Sequence, residues 1–323
     1  MARNLAEIAR ARRRAGGRVL STMEAPGIVT LQAGDIRMTL APSIGGAVAG
    51  FWHGAYPLMR ETTEEALRHG LVRQMSCYPL IPYSNRIANG RFAFEGATYQ
   101  LRLNFGEHPH SIHGNAWQRP WQLVEAAESR CRLTFRHDPV GDRAGEWPFA
   151  YRAEQTFSLD PGGARIALSL ENTDARAMPA GFGLHPFFPN RPGTALRFEA
   201  AGVYLNGDDA LPAQCEAVLH EWDYRLLRSL GSPRLDNCFM GWNGYAEIRS
   251  GCEAPSLSIE ADTVFRHLVV YAPDGRDFFA VEPVSHMNDA VNRPELSATG
   301  LRILGPGETM TGSVCFRVGP PSP

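Results

Sequence analysis

The sequence predicts an all-β protein, a large antiparallel β-sandwich with few short helices. Many short runs alternate apolar and polar residues, glycine- and proline-rich turns separate these runs, and helical patterns are few. Alternation with a period of two is typical of a strand that is buried on one face. Short strands joined by such turns, with few helices between them, favour an antiparallel sandwich or barrel.

Four segments have the pattern of a β-hairpin, in which two alternating runs flank a turn. In chain order, the four turns are predicted at residues 33–35, 95–96, 160–163 and 273–275, and each contains glycine. The last strands are expected within residues 301–305 and 312–319.

Two segments have helical signals. The first is residues 62–71, where Thr62 is the expected N-cap and Glu64 and Glu65 fall in the first turn. The second is residues 221–230, EWDYRLLRSL, a second short helix candidate.

The domain organisation follows from length and from the absence of linkers. A chain of 323 residues has room for two domains, but all-β folds often exceed 200 residues as one unit. No repeat, low-complexity tract or linker interrupts the sequence. We expect a flexible basic tail over residues 1–22 and a single β-sandwich domain over residues 23–320. The tail is rich in arginine but lacks the apolar core of a secretory signal.

Composition excludes several kinds of partner. The formal net charge is −2, so nothing in the charge balance points to nucleic acid or an anionic membrane. No run is long and apolar enough to span a membrane. The six cysteines are scattered and form no CxxC pair, which predicts free thiols and a cytoplasmic location.

Residues 106–117, GEHPHSIHGNAW, contain three histidines within six positions. In a strand, His108 and His110 would share one face and His113 would point to the other. A zinc site needs three or four convergent ligands, and the sequence has neither HExxH nor a matching glutamate in a following hairpin. We therefore expect no metal, and we expect His108 and His110 to lie half exposed in a polar turn.

Six motifs follow one another along the chain. They are PLIPYSNRIANGRF at 79–92, IHG at 112–114, GLHPFF at 183–188, LDNCF at 235–239, VEPVSHMNDAVN at 281–292 and GPGE at 305–308. Their order and spacing resemble the aldose 1-epimerase (galactose mutarotase) family from about residue 28 to about residue 318. Each motif alone is a weak signal, whereas six in order are specific. The resemblance implies a galactose-mutarotase-like sandwich with a free sugar in an open cleft.

The resemblance also implies which residues form the sugar site. The substrate-binding residues carried over from the motifs are Asn85, Arg86, His113 and Asp236, and the two candidates for proton transfer are His185 and Glu308. Trp147 and Phe187 are candidates for aromatic contacts with the sugar.

The reaction implied by the family opens a cyclic hemiacetal and recloses it on the other face. This requires a base for the proton of the O1 hydroxyl and an acid at the ring oxygen, and no cofactor. A carboxylate and an imidazole suit these roles near neutral pH. Glu308, in a tight turn after Gly307, is assigned as the base, and His185 as the acid. A carboxylate near His185 should hold its imidazolium at a raised pKa.

Three positions depart from the family pattern. Val284 stands where a glutamine is usual, Phe187 replaces a tyrosine of the HPYF motif, and Asn115 replaces a second glycine after the IHG histidine. These departures leave the identity of the sugar open.

Three other functions remain possible from the sequence. A hexose 6-phosphate mutarotase would need basic residues at the cleft, for which Arg91, Arg119 and Arg143 are available. A carbohydrate-binding protein would lack turnover, which the two proton-transfer candidates argue against. A metal-dependent jelly-roll enzyme would use the histidine cluster as ligands. The sequence does not determine the oligomeric state.

Overall fold

The structure is a computed structural model that describes residues 27–251, 254–293 and 299–321. The predicted tail, residues 1–22, lies outside the described residues. In the described part, no helix is long and apolar enough to cross a membrane. The five cysteines in this part, Cys77, Cys131, Cys215, Cys238 and Cys315, are all free thiols.

Most of the described residues with regular structure lie in strands. The first strands are β1 Val29–Ala33, β2 Ile36–Ala41, β3 Ala47–His53, β4 Tyr56–Pro57, β5 Pro79–Leu80, β6 Arg86–Ile87, β7 Arg91–Phe94, β8 Ala97–Gln100, β9 Ser111–Ile112, β10 Gln122–Ala126, β11 Arg130–His137, β12 Tyr151–Asp160 and β13 Gly163–Asn172. They are followed by β14 Met178–Ala180, β15 Gly183–Leu184, β16 Phe187–Pro189, β17 Thr194–Phe198, β18 Gly202–Asn206, β19 Pro212–Glu216, β20 Arg228–Ser229, β21 Leu235–Met240, β22 Tyr245–Ser250, β23 Pro255–Ala261, β24 His267–Ala272, β25 Phe278–Val284, β26 Arg302–Leu304 and β27 Thr309–Pro321.

Two large sheets dominate the architecture. One has nine strands in the order β10-β11-β12-β13-β27-β23-β22-β17-β20. The other has eight, in the order β19-β18-β21-β24-β25-β15-β5, with β16 also paired to β25. Four strands, β1 to β4, form a meander, and three two-stranded sheets join β14 with β26, β6 with β9 and β7 with β8. The named strands pair antiparallel, which confirms the predicted all-β antiparallel sandwich.

All four predicted hairpins form, because each turn sequence matches what its loop requires. The β12–β13 hairpin pairs Asp160 with Gly163 across a two-residue turn, and Gly163 has a φ of 145° that favours glycine. In β7–β8 the turn residues Glu95 and Gly96 both have positive φ, as a type I′ turn demands. Alternate side chains of β12 are buried, so one face of this strand packs against the core.

The two large sheets bury one continuous apolar core between them. Phe198 of the nine-stranded sheet contacts Phe239 of the eight-stranded sheet, with ring centroids 4.8 Å apart. On β27, Gly312 leaves room for Val264 and Phe265, since a Cβ there would lie 2.4 Å from the Val264 side chain. Burial of side chains from both sheets stabilises the fold through the hydrophobic effect.

The helical predictions are only partly correct. The helix α1 runs over Glu64–Arg68, and its N-cap is Thr63, whose hydroxyl accepts from the Ala66 N–H, rather than Thr62. The second predicted helix, at 221–230, is wrong: this stretch contains the end of a 3₁₀ turn at His220–Trp222 and the strand β20. Further 3₁₀ turns lie at Val72–Gln74, Ala88–Gly90, Ala116–Gln118, Gly141–Gly145 and Ala290–Asn292.

Candidate functional site

One cleft collects most of the residues that the motifs single out. Its volume is about 740 Å³. Five of the six predicted site residues line it, namely Asn85, Arg86, His113, His185 and Asp236. Its wall also contains a glutamate for which the sequence predicted no role, Glu282. The site is therefore built from segments far apart in sequence: the eight-stranded sheet and its connections position His185, Asp236 and Glu282, and the β6–β9 pair positions the other three.

The strand β25 brings His185 and Glu282 together. The chain pairs with β25 both before and after His185, through Gly183 opposite Val284 and through Phe187 opposite Ala280. His185 therefore lies beside Glu282, and its Nε2 is 3.3 Å from Glu282 Oε1. The backbone N–H of His185 donates to Tyr78 O at 3.0 Å, which fixes the other side of this segment.

The His185–Glu282 pair is buried and incompletely hydrogen-bonded. The side chains are 9% and 3% exposed. His185 Nδ1 and Glu282 Oε2 are both buried without a hydrogen-bond partner in the described structure. Buried polar atoms are normally satisfied, so two unsatisfied atoms on facing side chains at a cleft are a site for a ligand that donates and accepts hydrogen bonds.

Burial determines the protonation of this pair. It lowers the pKa of His185 to about 3, with the nearby Arg60 charge as a second cause. It raises the pKa of Glu282 well above its usual range, and the charge of Asp236 adds to the effect. The expectation that a carboxylate would raise the pKa of His185 is therefore wrong, because loss of solvation outweighs the attraction. Burial therefore favours the neutral forms of both side chains, with one proton between them.

The two-stranded sheet of β6 and β9 places Asn85, Arg86 and His113 side by side. Arg86 pairs with Ile112, so His113 follows directly opposite Asn85. Asn85 and His113 bond reciprocally: the His113 N–H donates to Asn85 O at 2.9 Å, and the Asn85 N–H donates to His113 Nδ1 at 3.0 Å. Both have positive φ, 57° and 64°, a conformation that asparagine and histidine adopt more readily than most residues.

The hydrogen bond at Nδ1 sets the tautomer of His113. Because Nδ1 accepts from the Asn85 N–H, the ring hydrogen lies on Nε2. Burial, together with the charge of Arg86, holds the pKa of His113 well below its usual value. His113 is therefore a neutral hydrogen-bond donor in the wall of the cleft.

Arg86 is held by two neighbours. Its Nη1 donates to Asn85 Oδ1 at 3.2 Å and its Nη2 to Asp236 Oδ2 at 2.8 Å. Asp236 lies on β21 and is 40% exposed, whereas the Arg86 side chain is 12% exposed. The backbone of this segment is held by Asp289, whose N–H donates to Arg86 O at 2.8 Å. An arginine fixed in this way presents its remaining N–H groups in a defined direction.

The structure places Glu308 away from this group. Glu308 is exposed in the turn before β27, and its Oε2 accepts from the Gly305 N–H at 2.8 Å. It does not line the cleft that holds His185. The expectation that the GPGE turn carries a carboxylate into the cleft is therefore not met, because that carboxylate folds back on its own turn.

A sequence signal for Glu282 was present in the VEP motif. Residues 278–284, FFAVEPV, form one apolar run apart from this glutamate, and a lone acid in such a run is expected to be buried. A buried acid requires a partner or a raised pKa. The partner, His185, lies almost 100 positions earlier in the chain, so only the sheet pairing reveals it.

The histidines of the 106–117 segment have separate tasks. His108 is half buried, as expected, and lines the cleft, but His110 is buried, which corrects its prediction. His110 Nδ1 accepts from the Asn89 N–H at 3.0 Å, and its Nε2 bonds to Asp209 O at 2.9 Å. No group of three or more side chains in the described ranges is arranged to hold a metal ion.

The other candidate residues divide between core and cleft. Phe187 lines the cleft and stacks on His185 with ring centroids 4.4 Å apart, whereas Trp147 is buried among core aromatics. Val284 is fully buried and does not line the cleft. The Asn115 amide is used in a buried network with Glu146 and Tyr151.

The basic residues suggested for a phosphate do not lie where that function needs them. Arg91, Arg119 and Arg143 are absent from the lining of the cleft. Arg119 pairs with Glu146, and Arg143 donates to Arg136 O at 2.9 Å. Three other arginines, Arg60, Arg73 and Arg276, do line the cleft.

Comparisons with known proteins agree on the fold. The sequence model of the aldose 1-epimerase family matches residues 27–317. YphB of Escherichia coli K12, described as uncharacterized, is 32% identical over 299 residues, which cover 90% of this chain and 98% of YphB. A crystal structure from the same organism, described provisionally as an aldose 1-epimerase, superposes with a TM-score of 0.82 at 31% identity, covering 91% of this chain and 99% of that one. A galactose mutarotase-like protein from Clostridium acetobutylicum gives a TM-score of 0.81 at 17% identity, covering 91% and 95%.

Proposed function

This chain belongs to the aldose 1-epimerase family, and we propose that it is a cofactor-independent isomerase that interconverts the α and β anomers of a free aldose. The observation that carries the proposal is the buried contact between His185 and Glu282, 3.3 Å apart in a cleft large enough for a sugar. One side chain that can accept a proton and one that can donate it meet where water is largely excluded.

We propose that Glu282, in the place assigned to Glu308 from the sequence, is the base. As a carboxylate it takes the proton of the O1 hydroxyl while the protonated His185 donates to the ring oxygen, and the C1–O5 bond breaks to give the open aldehyde. Rotation about the C1–C2 bond exposes the other face, and the reverse transfers close the ring. Positioned acid and base groups each contribute about 10²–10⁴-fold in rate.

The shared proton makes both roles available without exchange with solvent. In the resting pair the proton is on Glu282, because burial favours the neutral forms of both side chains. Its transfer to His185 creates the carboxylate and the imidazolium together. The step conserves the proton count of the pair, so the site needs no proton from water before it acts.

The remaining residues are proposed to hold the sugar. His113 offers an Nε2–H donor, Arg86 offers guanidinium N–H groups, and Asp236 can accept from adjacent hydroxyl groups. Phe187 offers an apolar face beside His185, against which the C–H groups of a pyranose can pack. A site that leaves polar atoms unpaired when a hydroxyl is missing discriminates strongly between sugars.

Anomer exchange measured by NMR or polarimetry tests the proposal, with pure anomers of several aldoses and with chelator-treated protein. We expect Glu282→Gln to lower kcat/KM by at least about 10²-fold, because the amide cannot accept the proton. Glu308→Gln is the matched control and should change kcat/KM less than about twofold, since exposed side chains away from a site have small effects.

If Glu308→Gln lowers kcat/KM strongly and Glu282→Gln does not, then Glu308 is the base. A purified protein that binds sugars but does not speed exchange of any anomer would favour a non-catalytic carbohydrate-binding protein. Activity that is lost on chelation and restored by zinc would favour a metal enzyme.

A further inference from the structure

Three arginines in the cleft lack a carboxylate partner. Arg86 forms an ion pair with Asp236, but Arg60, Arg73 and Arg276, which line the same cleft, form no ion pair with any described residue. Elsewhere on the described surface, arginines such as Arg152, Arg176 and Arg225 pair with acids close by in the fold. Arginines without an ion pair, such as Arg91 and Arg143, also occur elsewhere in the described structure, but Arg60, Arg73 and Arg276 share one cleft.

Arg60 is the most constrained of the three. Its Nη2 donates to Arg73 O at 2.9 Å and to Met75 O at 2.7 Å, while its Nε is buried without a hydrogen-bond partner. Its guanidinium lies 3.8 Å from the ring centroid of Phe187 and 4.7 Å from that of Phe278. Burial lowers its pKa to about 10, which expresses the cost of holding this charge away from water. Because this cation is held in place without a counterion, binding of an anion beside it is favourable.

The acids near Arg60 do not neutralise it. Glu61 lines the cleft, but its Oε1 accepts from the Trp52 indole N–H at 3.1 Å, which directs it elsewhere. Asp277 is exposed in the turn before β25, and its charge acts on Arg60 without an ion pair between them. Neither acid forms an ion pair with any of the three arginines.

The position of Arg60 relative to the reacting atoms indicates which part of a sugar it meets. The Phe187 ring contacts both Arg60 and His185, so the guanidinium lies one aromatic ring away from the proposed acid. Tyr78, whose ring is 4.8 Å from that of His185, also interacts with the Arg60 charge and extends the same wall. With the anomeric carbon at His185 and Glu282, a substituent on the far carbon of the sugar would lie towards Arg60, with Arg73 and Arg276 in the lining of the same cleft.

From this arrangement we propose that the cleft contains an anion-binding subsite formed by Arg60, Arg73 and Arg276, and that the preferred substrate is an aldose with an anionic group at the end opposite its anomeric carbon. This inference rests on the proposed function. Phosphate and carboxylate share the chemistry that the subsite recognises, since guanidinium groups bind both through paired N–H···O bonds. The subsite differs from the phosphate site considered from the sequence, because none of Arg91, Arg119 and Arg143 takes part.

The test compares a hexose, its uronic acid and its 6-phosphate, in both the gluco and galacto series. Calorimetric titration gives affinity whether or not the protein turns the sugar over, and NMR exchange gives kcat/KM. At low ionic strength we expect one anionic form to bind at least about tenfold more tightly than the neutral hexose, with the advantage shrinking as salt is added. The arm that binds more tightly identifies the anion as phosphate or carboxylate.

Single variants assign the preference to its residues. Arg60→Gln should remove most of the tighter binding of the anionic sugar and leave affinity for the neutral hexose within about twofold. Arg60→Lys should retain part of the preference for the anionic sugar. Arg73→Gln and Arg276→Gln are independent variants at exposed positions, in case Arg60→Gln disturbs the backbone carbonyls it holds. Arg91→Gln, which changes the same charge on β7 outside the cleft, is the matched control and should keep the full preference.

Two results would overturn the subsite. One is equal or tighter binding of the neutral hexose in both series. The other is an Arg60→Gln variant that weakens neutral and anionic sugars alike, together with unchanged preference in the Arg73 and Arg276 variants. Preferential binding of an anionic sugar with no anomer exchange supports the subsite and instead overturns the proposed isomerase.

Discussion

Three histidines in one short segment illustrate how differently neighbouring side chains are used. His113 Nδ1 orients the ring towards the cleft, His108 lies at the cleft wall, and His110 supports the backbone of Asn89. Their spacing in sequence is nearly uniform, but the positive φ of His113 turns it away from the other two.

We expect alanine substitutions to separate these three roles. His113→Ala should lower kcat/KM by at least about 10²-fold, because a positioned donor is lost. His108→Ala should change it only a few-fold. His110→Ala should mainly lower the free energy of unfolding, by about 1–3 kcal/mol, since the partly buried hydrogen bond from the Asn89 N–H is lost. Kinetics and thermal melting of the three variants check this, and equal losses of activity in all three would indicate a shared ligand set.

The proton shared by His185 and Glu282 predicts an unusual pH profile. A further proton on the pair would occupy the base, and this requires a pH near the lowered pKa of His185, about 3. Loss of the shared proton removes the acid, and this requires a pH above the raised pKa of Glu282. Between these limits the pair keeps one proton, so kcat/KM should not fall as pH rises through about 6.5, the ordinary histidine value. A decline of kcat/KM centred near pH 6.5, measured where the protein stays folded, would mean that His185 titrates as an ordinary imidazole.

At the scale of elements, one backbone contact positions the site. It joins the segment at 112–114 to Ile81, just after β5. Gly114 bridges to Ile81, and a Cβ at Gly114 would lie 2.1 Å from Ile81 O. Its φ of 69° also disfavours any side chain. The close approach of these two backbones is what brings His113 beside Asn85.

Gly114→Ala should therefore damage both stability and activity. We expect a loss of more than about 2 kcal/mol in the free energy of unfolding, because backbone strain and a steric clash combine. Gly54→Ala is the matched control: Gly54 has a φ of 57°, but nothing lies within 4 Å of its Cβ position. Its cost should be limited to about 1–2 kcal/mol for the left-handed conformation. Chemical denaturation of both variants measures the difference, and equal costs would show that the Ile81 contact is not tight.

At the scale of the whole molecule, buried histidines make the fold sensitive to acid. Burial lowers the pKa of His137, His267 and His286 to about 4 each, and that of His113 well below its usual value. In the unfolded chain these four groups bind protons from about pH 6.5 downward. The unfolded state thus binds more protons than the folded state between about pH 6.5 and 4, and stability falls as pH falls.

We expect a steep loss of thermal stability in this window. Each histidine contributes up to about 1.4 kcal/mol per pH unit. The His185–Glu282 pair does not add to this slope, because it holds one proton when folded and the unfolded chain also holds one on these two residues between about pH 4.3 and 6.5. Melting curves from pH 7.5 to pH 4.5 check the prediction. A melting temperature that stays constant over this range would mean that the four histidines are already protonated in the folded state.

The sequence by itself predicted the fold class and the family, and five of the six site residues that it predicted line the cleft. It could do so because hairpins are local, and because each of the motifs around Arg86, His113, His185 and Asp236 carries its own functional side chain. Alternating runs and turn chemistry predicted an antiparallel sandwich or barrel, and the family resemblance selected the sandwich.

Only the tertiary structure decided which glutamate meets His185. Glu282 and Glu308 both follow recognisable motifs, but sheet pairing places Glu282 beside the histidine, whereas a local hydrogen bond to Gly305 keeps Glu308 in its own turn. The protonation of the pair was equally out of reach, since it depends on burial by distant strands. The three arginines of the anion subsite come from segments with no common motif, and proximity of that kind is a property of the folded chain rather than of any stretch of it.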